Sequence, residues 1–115
     1  MKVHDDETRL FDECAACHDA RARYVRDCAI FADAEITGDV RPEFEEALRR
    51  MSVRWREVVR RVGRIPAYTV SGLEAKGGVL RGCLADRPPD DVTELIDSLL
   101  MDLARLSKRS SPASA

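Results

Sequence analysis

Cys14-Ala15-Ala16-Cys17-His18 is the stretch of this chain whose residue types and spacing come nearest to chemistry. A C-x-x-C-H pattern can carry a haem through two thioethers, with the histidine as axial ligand. It can supply three of the four ligands of a tetrahedral zinc site. Its two thiols can work as a redox pair. It can also be core-facing positions on a helix, because free cysteine buries as a small hydrophobe.

The surroundings of the motif weigh these readings. Haem attachment calls for export and usually a second axial ligand. The start of the chain, Met1 to Glu7, has no apolar signal stretch, and His4, Met51 and Met101 are the distal candidates. Zinc calls for a fourth ligand, with Cys28, His4 and Cys83 available. On a continuous helix Cys28 lies about 15 Å beyond His18, so only His4 or Cys83 could fold over to complete the site. Redox thiols favour a helix N-terminus, whereas Cys14 falls inside a helical pattern beside Asp12, Glu13 and Asp19, whose charge raises a thiol pKa. Core packing is therefore the preferred reading. Cys14, Cys17 and His18 are metal ligands only on the condition that His4 or Cys83 approaches, and no cofactor is expected.

A second cluster is basic. Arg49, Arg50, Arg54, Arg56, Arg60, Arg61 and Arg64 crowd one segment. Residues 1–40 hold 5 basic and 10 acidic side chains, whereas residues 41–64 hold 8 Arg and 4 Glu. Such arginines could track nucleic-acid phosphates. They also spread around the whole polar arc of a helix. The acidic first segment is their natural neighbour, with Glu13 and Asp27 placed to meet them across a seam.

The elements that would position these residues are helical. Leu10, Cys14, Cys17, Arg21, Tyr24, Cys28 and Phe31 recur in steps of 4 and 3, which predicts a helix from about Glu7 to Ala34. Asp5, Asp6 or Thr8 would cap it, and Ala20 would turn inward where Arg21 interrupts the stripe. Phe44, Leu48, Met51, Trp55, Val58 and Val62 predict a second helix from Pro42 to Val62, with Gly63 as a left-handed stop and Pro66 blocking continuation. A third, short and Gly-rich helix is expected from Gly72 to Ala85, with Leu73, Lys76, Leu80 and Cys83 on one side. Ser71 with Glu74, or else Thr69, would cap it. Gly77-Gly78 is a candidate bend, and Gly78-x-x-x-Gly82 would admit a close helix. Pro88-Pro89 breaks the chain, and Asp91 with Glu94 would cap a fourth helix from Val92 to Leu106. Ser107 to Ala115 reads as a disordered tail.

The segment Ile65 to Lys76 adds a resemblance. Pro66-Ala67, Thr69, Gly72-Leu73 and Ala75-Lys76 resemble a Pro-Ala-x-Thr-x-x-Gly-Leu-x-Ala-Lys segment of short bacterial proteins that look helical. The resemblance covers about a tenth of the chain and implies a helical fold but no activity. The tandem Gly77-Gly78 departs from the Ala-rich continuation it implies. The Cys14-to-His18 motif is similar to the attachment site of c-type cytochromes over those five residues and nothing more.

These readings converge on an all-α fold: one small antiparallel bundle of about four helices over residues 1–106. The broad apolar face of the fourth helix makes a homodimer an expectation. No Ser-His-Asp set can be placed, so the chain is expected to be a non-enzymatic, cytoplasmic protein acting through protein–protein contacts. A nucleic-acid-associated regulator using the Arg-rich helix is the alternative, and a metal or haem protein the second alternative. The net charge of -2 and the lack of any long apolar run give no reason to expect a membrane partner.

Overall fold

A computed structural model describes residues 2–86 and 92–109, with the side chains of 5–85 and 92–108. Four helices follow one another: α1 (Lys2–Thr37), α2 (Pro42–Arg64), α3 (Val70–Asp86) and α4 (Thr93–Arg109). No strand occurs among the described residues, and none of their helices is long and apolar enough to cross a membrane. The chain is a small helical bundle.

The helix ends follow local chemistry. α1 begins at Lys2 rather than Glu7, because no Pro or Gly interrupts the first residues, and Asp5, Asp6 and Thr8 lie inside it rather than capping it. It stops at Gly38, whose φ of 78° is left-handed, with the Asp39 amide donating to the Ala34 carbonyl at 2.9 Å. α2 runs through Gly63 to Arg64, so Gly63 is not the expected stop. The stop is Pro66, which forces Ile65 into extended backbone (φ -98, ψ 120). Gly63 instead lets α4 approach: a Cβ there would stand 3.6 Å from the Leu95 Cα.

α3 starts at Val70, one turn after the chain leaves α2, and Thr69 is its cap rather than Ser71. The Gly72 amide donates to Thr69 Oγ1 at 3.0 Å, and the Thr69 hydroxyl donates to the Glu7 carboxylate. The helix passes unbroken through Gly77-Gly78. α4 continues to Arg109, three residues past the expected helix end at Leu106. Asp91, Pro88-Pro89 and the rest of the tail lie outside the described residues.

The topology is up-down-up-down. α1 and α2 form the main hairpin, with Tyr24 and Trp55 stacked at 5.2 Å between ring centroids. α3 runs parallel to the first half of α1, meeting it at Glu7–Thr69, Leu10–Gly72 and Arg21–Gly82. The core therefore sits at one end. Leu10, Cys14, Cys17 and Ala20 of α1 face Trp55, Val58 and Val62 of α2, Val79 and Cys83 of α3, and Leu95 of α4. Beyond Tyr24 the stripe on α1 is only half-buried at Cys28 and Phe31, and α1 with α2 projects as a two-helix arm. The molecule is accordingly elongated, 67 × 25 × 17 Å.

The glycines of α3 divide by surroundings, and this gives a test. A Cβ at Gly72 would stand 3.2 Å from Leu10 Cδ2 and 3.3 Å from Ala67 Cβ, whereas one at Gly77 meets nothing within 4 Å. Gly77→Ala should raise stability by about 0.5–1 kcal/mol, through helix propensity alone. Gly72→Val should lower it by roughly 1–3 kcal/mol by overpacking. Urea denaturation of the two variants reads both.

Candidate functional site

α1 turns Cys14 and Cys17 into the core and leaves His18 exposed at its edge. The His18 ring lies over Gly78 of α3, 3.9 Å from where a Cβ would stand. Cys83 is also fully buried, and Cys28 is half-buried. Burial pushes the Cys14 thiol up to about 11, with Lys76 opposing and Glu13 adding to the shift. Burial pushes Cys17 up to about 12, reinforced by Cys83 and opposed by the Trp55 side chain. Cys83 rises to about 11, again by burial, with Arg21 opposing. These are protonated, hydrophobe-like thiols. Among the described residues no three of His, Cys, Asp and Glu gather to hold a metal ion. Cys83 nears Cys17, while the exposed His18 ring lies apart from them over Gly78. The His4 side chain lies outside the described residues.

The arginines of α2 divide. Arg49 pairs with Glu46. Arg61 lies 3.8 Å from Glu13 of α1, the expected cross-seam partner, and 3.9 Å from Glu57. Arg64 reaches Glu94 of α4 at 3.4 Å. Arg56 is half-buried, and Arg60 lines a cleft between the end of α2 and α4. Arg50 and Arg54 are exposed. The seven do not converge on one surface.

What the sequence reading missed is a buried polar centre between α3 and α4. Lys76 has 0% exposure and Asp102 1%. Lys76 Nζ donates to Asp102 Oδ2 at 2.6 Å and to Ser98 Oγ at 2.8 Å. Arg105 donates to Asp102 Oδ1 at 3.1 Å and to the Ala67 carbonyl at 3.3 Å, and its guanidinium stacks 5.3 Å over the Tyr68 ring. Lys76 falls on the apolar side of its helix beside Leu73, Leu80 and Cys83, and a charge there demands a partner. Asp102 carried the matching signal, sitting in steps of 4 and 3 with Leu95, Leu99 and Leu106.

Of the residues behind the sequence resemblance, Ala67 and Lys76 belong to this centre, and Thr69 and Gly72 fix the start of α3 against α1. Ala67 accepts from Arg105, Thr69 caps α3, Gly72 seats against Leu10, and Lys76 is the buried cation. The centre opens on one side to a cleft of about 740 Å³ edged by Gly63, Pro66, Asp97, Ser98 and Met101.

Further round α4 from the cleft, beyond Asp97, a second apolar row is left outside. Ile96, Leu100 and Leu103 step by 4 and 3, and all three are exposed. α4 thus has two apolar stripes, one buried with Asp102 and one facing water.

Two outcomes follow from the buried groups. Asp102→Ala leaves Lys76 buried with only Ser98, and should cost about 3–5 kcal/mol. Lys76→Met should cost less, since Arg105 still serves Asp102. Joint replacement by Met and Leu should recover part of the loss, read as a double-mutant cycle in urea. For the thiols, the folded pKa values of about 11 to 12 exceed the ordinary 9.0. The unfolded chain therefore releases these protons first. The thiol contribution is complete below pH 9.0 and is lost as pH rises toward about 11 to 12. Unfolding followed against pH should show this alkaline loss, diminished in Cys17→Ala relative to its own neutral-pH stability. No family model matches the sequence, and neither a curated protein nor a solved structure matches it.

Proposed function

We propose that this chain is a small non-enzymatic helical protein that acts by binding protein, through the outer face of α4. One observation carries the reading. Leu100 is 58% and Leu103 49% exposed on a helix whose opposite side is anchored by the Lys76–Asp102 pair. A row of large aliphatic side chains held in water on a fixed helix gains about 25 cal/mol for every Å² that a partner covers. Its i, i+4, i+7 spacing matches helix-to-helix contact.

The other readings have weaker support. Nucleic-acid binding by α2 would need its charge free, and Arg49, Arg61 and Arg64 are engaged with carboxylates. Metal or haem ligation through Cys14 and Cys17 would need accessible thiolates, whereas burial keeps both protonated.

A photo-cross-linking amino acid at Leu100, and separately at Arg54, tests the assignment in cells expressing the full chain. Protein adducts concentrated at position 100 are expected. Nucleic-acid adducts at position 54 with none at 100 would replace this reading with the alternative.

A further inference from the structure

Resting on the α4 reading, we infer that the outer stripe docks on the same stripe of a second copy of this chain, with the two α4 helices antiparallel. The argument is charge placement. Asp97 and Lys108 are both exposed, and neither is paired with another described residue. Eleven residues separate them, which on a helix is a return to the same side within about 20°. Both therefore border one edge of the Ile96–Leu100–Leu103 row, near its opposite ends.

A two-fold axis passing between Leu100 and Leu103 uses that placement. Asp97 lies about 7 Å from the axis along the helix and Lys108 about 10 Å on the other side. The two-fold brings Lys108 of the second copy alongside Asp97 of the first, and the reverse pair forms by symmetry. Leu100 then faces Leu103 of the second copy twice. A parallel two-fold would instead turn the charged edge of each helix against the Leu99–Leu106 edge of the other and leave Asp97 and Lys108 without partners across the contact. In the antiparallel pair the far edge of the stripe, bordered by the half-buried Leu99 and Leu106, meets the same apolar edge of the second copy. Direction is thus set by the charged edge.

The contact is small. Seventeen helical residues span about 25 Å, and this row covers less than the roughly 800 Å² per partner of a standard interface. The dimer is therefore a weak, concentration-dependent one, formed at micromolar and higher concentrations of the chain.

Sedimentation equilibrium on the full chain tests this. The wild-type chain should dimerise at those concentrations, and Leu100→Asp should remain monomeric with unchanged helical circular dichroism. Asp97→Lys alone and Lys108→Asp alone each convert two attractions into two repulsions, and should weaken association by roughly tenfold. Mixing these two variants should restore wild-type association, because every facing pair is then opposite in sign. A dimer indifferent to Leu100→Asp, or one that shows no rescue on mixing, overturns the antiparallel second-copy proposal. A wild-type monomer with non-self adducts at position 100 in cells overturns it while the α4 reading stands. A monomer with no adduct from position 100 overturns both.

Discussion

Lys76 and Asp102 meet with almost none of either side chain exposed, and that contact decides which way α4 faces. α4 carries apolar side chains over a wide arc: Leu95, Leu99 and Leu106 on one line, Ile96, Leu100 and Leu103 on the next. Hydrophobic burial is non-directional, and a rotation of about 100°, one residue, would exchange the two lines. The aspartate removes that freedom. It must turn toward the ammonium, so Leu95 goes in and Ile96 stays out. Two desolvated charges contribute little net stability, but they are a strict selector of register. Ser98 and Arg105 complete the shell, and Arg105 ties the same centre to the connection before α3 through Ala67 and Tyr68.

α3 depends on this arrangement because its own propensity is poor. Gly72, Gly78 and Gly82 remove side chains on the face toward α1, and polar groups of α1 occupy the space at two of them: the His18 ring over Gly78, the Arg21 chain against Gly82. Arg21, which breaks the apolar stripe of α1, thus lies on glycine, its Cδ, Nε and Nη1 within 3.0–3.3 Å of where a Gly82 Cβ would stand. Ala20 is buried in its place. The helix is continuous because tertiary contacts on both sides hold it, a case of packing overriding propensity.

The helices themselves were legible from periodicity, and so were Leu10, Cys14, Cys17, Trp55, Val58, Val62 and Cys83 as core. Boundaries were less so. Gly63 has the composition of a stop but serves as a close-approach point for Leu95, and nothing local distinguishes these uses. Thr69 and Ser71 are equally good caps by type, and the choice falls to Thr69 because Glu7, 62 residues away, meets its hydroxyl. The buried pair was half-legible: Lys76 and Asp102 each stood on an apolar face, yet their joining needs the register of α3 against α4. Exposure of one α4 stripe rather than the other was not legible for the same reason.

The placement of the core at one end has its own consequence. Past Tyr24 and Trp55, α1 and α2 have only each other among the described residues, with Val25, Ile30, Ile36 and Val40 exposed. A hairpin of two helices lacks the third surface that makes opening cooperative with the whole molecule. Backbone amides in the arm and those around Trp55 therefore belong to different units of unfolding. The arm can open and close on its own, at a free energy below that of global unfolding, while the packed end keeps its form.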